Sequence, residues 1–138
     1  MCAARYLYDF SLWHCPEDTG VATVIANLLE KNGYKGYVEQ RDTAAGLQAI
    51  PATTDVIQSS RVSFILLSHH SFANPWYKWV SDCSVINSIE TTAKVIPVYV
   101  DIKEEQRPSS LKILTSLNYN NKYFKKKLLD SVKPRMHR

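Results

Sequence analysis

The sequence predicts an α/β protein in which a parallel sheet carries helices on both faces. Strand-like and helix-like segments alternate about five times along the 138 residues, and two of the strand segments are near-continuous apolar runs. The composition agrees, because 45% apolar and 22% charged residues are typical of a globular chain. A single domain over residues 1–138 accounts for this length.

The first third of the chain predicts two strands around a helix. Residues 4–13 are rich in aromatic and apolar side chains without helical spacing, which indicates a strand. The segment that follows can be capped by Asp18 or Thr19 and ended by Asn32 and Gly33. Its apolar side chains recur at helical spacing and predict one buried face, formed by Val21, Val24, Ile25, Leu28 and Leu29. The segment GYVEQ, residues 36–40, predicts a second strand.

The remaining elements follow the same alternation. Strands are predicted at the apolar runs 61–68 and 94–100 and, more weakly, at the edge segment 114–119. Helices are predicted within 51–59 and from Asn74 to about Glu90, where Pro75 suits the first helical position. The last helix places four apolar side chains on one side: Phe124, Leu128, Leu129 and Val132.

Several function classes are disfavoured by composition and motifs. There is no apolar run of bilayer length and no signal-peptide pattern. The three cysteines are an odd number without a CxxC pair, which fits a reduced, cytoplasmic chain. The four glycines never take phosphate-loop spacing, so no nucleotide cofactor is expected. His69 and His70 follow a strand beside Ser68, but no other histidine or cysteine stands at ligand spacing, so we expect no metal site.

Positive charge is concentrated at the C-terminus. Seven Lys or Arg and one acid lie within residues 122–138, whereas the rest of the chain has ten basic and twelve acidic residues. Such a tail suits an acidic partner, either an anionic membrane or a protein, and the alternative is a solvated, frayed helix. Nucleic acid is disfavoured, because only Tyr123 and Phe124 interleave aromatic rings with the basic residues.

The loops at the carboxyl ends of parallel strands are where such sheets meet ligands and partners. One of these loops is RDTAAG, residues 41–46, which is longer than a simple turn and contains an adjacent charge pair. Gly46 permits a backbone turn that a side chain would resist. This loop is therefore a candidate contact surface.

Five segments in order resemble the Toll/interleukin-1 receptor (TIR) domain family over residues 5–132, which leaves 133–138 as a basic extension. YDFSLWHCPED resembles the first family box, with Tyr8, Asp9, Pro16 and Asp18 at its matching positions, and RDTAAG is similar to the second box in the BB loop. The central strand with the tryptophan Trp76, the KVIPVYV strand and the final YFKKKLLDSV segment complete the likeness.

The resemblance implies a flavodoxin-like fold with sheet order 2-1-3-4-5 and signalling by association of one TIR domain with another. It assigns partner contact to the BB loop, which here is Arg41, Asp42, Thr43, Ala44, Ala45 and Gly46. Ala45 stands where the family has proline, and loss of the fixed φ angle should leave the loop more flexible. In the third box the usual Phe-Trp pair falls on Phe124 and Lys125.

Some TIR domains hydrolyse NAD with a glutamate four positions after the helix-opening tryptophan. That position is Val80 when counted from Trp76, and Cys83 when counted from Trp79, and neither can act as the carboxylate. We therefore expect a non-enzymatic cytoplasmic adaptor that binds receptor or adaptor TIR domains as a homo- or hetero-oligomer in innate immune signalling. The alternatives are NAD hydrolysis by a displaced carboxylate such as Asp82 or Glu90, and the cytoplasmic tail of a Toll/interleukin-1-type receptor.

A basic surface is the last expected contact. Lys125, Lys126 and Lys127 could face an acidic surface, and their spacing spreads them around the helix axis, so we expect weak, salt-sensitive membrane contact.

Overall fold

The computed structural model describes residues 7–38, 56, 59–72, 94–106 and 116–133. Elements are numbered here over those residues. The five strands are β1 (Tyr8–Trp13), β2 (Gly36–Val38), β3 (Ser60–Leu67), β4 (Lys94–Tyr99) and β5 (Leu117–Asn118). The helices are α1 (Thr19–Lys31), α2 (His69–Phe72) and α3 (Phe124–Val132), with 3₁₀ turns at Pro16–Asp18 and Glu104–Gln106.

The strands form one parallel sheet in the order β2-β1-β3-β4-β5, which confirms the predicted fold class and strand order. The pairing of β1 with β3 runs from Tyr8 opposite Ser60 to Trp13 opposite Ile65. The neighbouring residues Phe64 and Ile65 of β3 point to opposite faces and are both fully buried. The central strand is therefore covered on both sides, as its apolar run predicts.

Each face of the sheet has its own apolar cluster. One cluster joins Phe10, Phe64 and Val98 to the inner faces of α1 and α3. The other contains Trp13, Ile65 and Tyr99, together with Tyr37 and Ile102. The helices α1 and α3 thus lie on the same face of the sheet, and their adjoining sides form a seam there.

The buried face of α1 differs from the predicted one. Ala22 and Ala26 are buried beside Ile25 and Leu29, whereas Val24 keeps 49% of its surface exposed. Val21 and Leu28 are only partly buried. The two alanines take buried positions on the side of α1 that faces the sheet, and Val24 lies on the side that faces solvent.

The ends of α1 agree in part with the sequence. Gly33 has a positive φ of 91° and follows the helix, as predicted for a glycine after the last turn. Asp18 occupies the capping position, yet its side chain makes no capping hydrogen bond, so this prediction is wrong in mechanism. The Thr19 hydroxyl instead donates to the Pro16 carbonyl at 2.6 Å.

The last helix has the predicted core contacts at Phe124, Leu128 and Val132, while Leu129 is partly buried. No helix in the described ranges is long and apolar enough to cross a bilayer. The predicted helix 74–90 lies outside the described residues, as do the loop 41–46 and Trp76.

Candidate functional site

The carboxyl ends of β1, β3, β4 and β5 meet at one edge of the sheet, called here the carboxyl edge. Its described segments are 14–18, 68–70, 100–106 and 119–123. In an open parallel sheet this edge receives ligands and partners. The polar groups that lie here therefore define the candidate site.

A buried carboxylate organises this edge. Asp18, 5% exposed, accepts hydrogen bonds at the same oxygen, Oδ2, from Cys15 Sγ at 3.1 Å and from Ser68 Oγ at 2.6 Å. The Ser68 hydroxyl oxygen also accepts the His70 backbone N–H at 3.2 Å. Asp18 thus ties the loop after β1 to the end of β3, across 50 residues of sequence.

Two titratable neighbours of Asp18, Cys15 and His14, have pKa values shifted toward their neutral forms. Burial, together with the hydrogen bond to Asp18 and its negative charge, raises the pKa of the Cys15 thiol to about 12. Burial also lowers the pKa of His14, although its Nδ1–H donates to the Cys15 carbonyl at 2.8 Å and the Asp18 charge opposes the shift. A protonated thiol and a neutral buried imidazole are poor reactants at neutral pH.

The other half of the first family box lies at the opposite, amino edge of the sheet. Asp9 Oδ1 lies 3.3 Å from the Arg61 guanidinium, and Asp9 Oδ2 accepts the Lys35 backbone N–H at 2.8 Å. The centroid of the Tyr8 ring lies 5.4 Å from the centroid of the Tyr37 ring and 5.6 Å from Lys35 Nζ. Of the four residues of the first family box, Tyr8 and Asp9 therefore lie at the amino edge, and Pro16 and Asp18 lie at the carboxyl edge.

The third-box residue Phe124 is part of the core. It is 6% exposed, and its ring packs edge-on against Tyr119 with 5.2 Å between centroids. A phenylalanine in this position fixes the start of α3 against the end of β5. The structure gives Phe124 a packing role.

The three lysines after Phe124 do not share one plane. All three are exposed, and Lys126 Nζ lies 3.4 Å from Asp130 Oδ2 one turn later. Lys133 Nζ lies 3.4 Å from the other oxygen of Asp130, and the hydrogen bonds from Lys133 and Lys126 lower the pKa of that carboxyl group. Part of the basic charge of α3 is therefore neutralised locally.

The histidines after β3 lie on the surface. His69 and His70 are exposed at the start of α2. Across the described segments, no group of three or more His, Cys, Asp or Glu side chains is placed to hold a metal ion.

Ser68 and Cys15 are the residues of this edge that sequence reasoning missed as partners of Asp18. Their signal is positional: each is a small polar or sulfur-containing residue that follows an apolar strand. The predicted BB-loop residues 41–46 and Trp76 fall outside the described residues, so their contact roles stay predictions.

The strand order and the polar groups at the carboxyl edge define a flavodoxin-like α/β domain, a class in which ligands and partners are bound at the carboxyl ends of the strands. Residues 10–131 match the TIR domain family. The chain belongs to this family, which confirms the resemblance seen in the motifs.

A curated relative is TIR domain-containing adapter molecule 2 of Bos taurus, which is 26% identical over 122 residues. That match covers 83% of this chain and 53% of the relative, so the chain spans about half the length of the protein it matches.

Solved structures show the same fold. The TIR domain of the Toll-related receptor TRR-2 from Hydra magnipapillata has a TM-score of 0.74 at 24% identity, covering 91% of this chain and 98% of that one. A metazoan TIR-STING receptor from C. gigas, in complex with 2',3'-cGAMP, has a TM-score of 0.81 at 19% identity, covering 97% of this chain and 42% of that one.

Proposed function

We propose that this chain is a cytoplasmic signalling module that associates with other TIR domains and acts as an adaptor in innate immune signalling, without enzymatic activity. Family membership and an adapter among its relatives support this assignment. The partners are TIR domains of receptors or adaptors, bound through the loop 41–46.

The observation that carries the proposal is the buried hydrogen-bond network around Asp18 at the carboxyl edge. The thiol of Cys15 and the hydroxyl of Ser68 both donate to Asp18, and all three side chains are buried. Groups that satisfy one another in the interior are unavailable to a substrate. Such a network suits a rigid platform that presents loops to a partner.

The residues available at this edge also disfavour NAD hydrolysis. An NADase needs a carboxylate aimed at the ribose or at the cationic transition state. The position that carries it in the family holds Val80, or Cys83 in the shifted register. Asp18 is buried and already accepts two hydrogen bonds, so it is a poor substitute. Release of nicotinamide from NAD is the measurement that would reveal this alternative activity.

The association proposal is tested by substitutions in the loop. Purified wild-type chain and three variants, Arg41→Glu, Asp42→Lys and Gly46→Phe, would be passed over an immobilised TIR domain of the bovine adapter relative and over immobilised wild-type chain. We expect the wild type to be retained and each variant to lose most of that retention. Circular dichroism would verify that each variant stays folded.

A matched control is a charge reversal outside the loop. Lys31→Glu changes an exposed lysine at the end of α1, away from the carboxyl edge, and should leave retention unchanged. If all three loop variants bind as the wild type does, the loop is not the contact surface.

The basic C-terminus supports a second, weaker contact with anionic membranes. Each Lys or Arg near such a surface contributes at most about 1 kcal/mol. Two of the lysines on α3 and at its end share Asp130, which reduces the charge available to lipid. We expect flotation with phosphatidylserine liposomes at low salt and its loss at high salt. Flotation that is insensitive to salt would contradict an electrostatic contact.

A further inference from the structure

The seam between α1 and α3 is an open groove on the surface of the sheet's helical layer. Two concavities, of about 480 and 410 Å³, are lined by residues of both helices and of the segments at their ends. The first lies beside Leu28 and Lys125, and the second lies one helical turn further along, beside Asn32 and Leu129. The two concavities therefore follow one another along a single groove, the α1–α3 groove.

The floor of the first concavity of the α1–α3 groove is mainly apolar. Ile25 and Phe124 are core residues that line the first concavity, and Leu28 packs partly buried beside them. Tyr34 and Leu129, also partly buried, line the second concavity, where they lie beside the polar side chains of Asn32 and Asp130. Val24, one of the few large apolar side chains with high exposure among the described residues, stands at the edge of the first concavity with 49% of its surface exposed.

The rim of the groove is basic. Lys122 and Lys125 border the first concavity, and Lys126 and Lys133 border the second. Asp130, the single acidic residue among the described residues that line either concavity, pairs with both Lys126 and Lys133, so the basic character of the rim is strongest at Lys122 and Lys125. An apolar floor between basic margins is complementary to a partner that is apolar on one side and acidic at its flanks.

We propose that the α1–α3 groove binds an acidic amphipathic helix of a partner protein. The distance along α1 from Val24 to Asn32 is about 12 Å at the usual rise per residue. This length accepts about two turns of a ligand helix, whose apolar side chains at i, i+3 or i+4, and i+7 would enter the concavities. Glutamates or aspartates beside those anchors would pair with Lys122 and Lys125 at the rim of the first concavity.

The charge and shape of the groove favour this occupant over two others. A second copy of this chain seated by two-fold symmetry would bring the same lysines against one another, since a two-fold interface uses the same patch on both subunits. An anionic bilayer is flat on this scale and cannot fill a concave groove with apolar groups. A convex helix with acidic flanks satisfies both the shape and the charge.

The proposal is separate from the TIR–TIR association proposed above. That association rests on residues 41–46, and the groove is formed by α1, α3 and the residues at their ends. Arg41→Glu is accordingly expected to leave groove binding unchanged, so the two proposals can fail independently.

The experiment uses a designed probe. A fluorescein-labelled peptide of about 15 residues, a length near the minimum for a stable isolated helix, would carry leucines at i, i+4 and i+7 with flanking glutamates. A second peptide would have lysines in place of the glutamates. Anisotropy titrations against the full chain would give the affinity of each, and ¹⁵N-resolved chemical shifts would locate the site. We expect saturable binding of the acidic peptide with shifts at Val24, Leu28 and Leu129.

Paired variants sharpen the test. Val24→Glu places a negative charge in the groove, where it would repel the acidic peptide. This variant is expected to bind the acidic peptide about tenfold more weakly, the effect of a single hot-spot residue. Asn27→Glu places the same side chain at an exposed position of α1 that does not line either concavity, and this variant should bind as the wild type does. The double variant Lys122→Glu with Lys125→Glu should also lose at least about tenfold, and Lys103→Glu should lose nothing.

Four results would overturn the proposal. These are absence of binding by the acidic peptide, equal binding of the lysine peptide, equal effects of Val24→Glu and Asn27→Glu in folded protein, and shifts that map elsewhere. Sedimentation of the chain alone gives a further test: self-association that Val24→Glu abolishes would assign the groove to a second copy. Vesicle binding that depends on Val24 would assign it to a membrane.

Discussion

The two edges of the sheet treat a carboxylate from the same family box in opposite ways. At the carboxyl edge Asp18 is buried and accepts hydrogen bonds from two buried neutral donors. At the amino edge Asp9 keeps 38% of its side-chain surface exposed and faces the Arg61 guanidinium. The same short motif thus contains one carboxylate that holds buried segments together and one that lies partly exposed. Substitution of the two residues should therefore change the free energy of unfolding by very different amounts.

The largest effect is expected at Asp18. In Asp18→Ala the Cys15 thiol and the Ser68 hydroxyl lose their shared acceptor in the interior, which costs about 3 kcal/mol in the free energy of unfolding. Urea denaturation followed by circular dichroism measures this loss. Glu105→Ala removes an exposed carboxylate at the same edge and should change stability by less than about 0.5 kcal/mol. Equal effects of the two substitutions would show that the network contributes nothing to stability.

The next effect concerns packing at the amino edge. Gly36 begins β2 opposite Phe10, and a Cβ built on it would overlap the buried Phe10 ring. Gly36→Ala is therefore expected to destabilise the fold by about 1 to 3 kcal/mol through overpacking. Gly20→Ala is the matched control, because nothing lies within 4 Å of its added methyl group and a helical alanine is favoured. A stable Gly36→Ala would mean that the ring moves aside without cost.

A pH effect separates the edges further. His14 is almost fully buried, and its folded-state pKa lies below the ordinary 6.5. The unfolded chain therefore binds more protons below about pH 6.5, so stability should be full above that pH and fall as the pH drops toward the folded-state pKa. Urea midpoints at about pH 5 and pH 7.5 test this in the wild type and in His14→Asn, which should show a smaller fall.

The exposed His70 provides the control for that titration. His70→Gln should show the same fall in stability with acid as the wild type. If His14→Asn keeps the full pH dependence, then the loss of stability originates from other groups.

The smallest effect is expected for the ion pair of the amino edge. A double-mutant cycle with Asp9→Ala and Arg61→Ala should give a coupling energy of about 0.5 kcal/mol, because the pair is partly exposed to solvent. Asp9→Ala alone should cost more than Arg61→Ala alone, since Asp9 also accepts the Lys35 backbone N–H. The coupling should shrink in about 1 M salt. A coupling as large as the Asp18 effect would erase the distinction between the edges.

The sheet could be predicted from the sequence because its signals are local. The apolar run 61–68 has the length and composition of a strand buried on both faces, and Ser60–Leu67 is that strand. Gly33 and the apolar spacing of α3 are local signals of the same kind. These patterns depend on neighbours within one element.

The details that the sequence did not reveal depend on distant parts of the chain. The partner of Asp18 is Ser68, which is 50 residues away and reaches it only because β1 and β3 pair in parallel. Val24 is exposed because α1 turns the side that carries Ala22 and Ala26 toward the sheet. The spacing of apolar residues alone does not tell whether the side of a helix that carries small residues or the side that carries large ones faces the sheet.

In the proposed function, the carboxyl edge supports association with other TIR domains and catalyses no reaction. The most direct test is incubation of the purified chain with NAD at high protein concentration and with a crowding agent, followed by chromatography for nicotinamide. We predict no release above a heat-killed control. Nicotinamide release that is abolished by Glu90→Gln or Asp82→Asn would contradict the claim and identify the chain as a hydrolase.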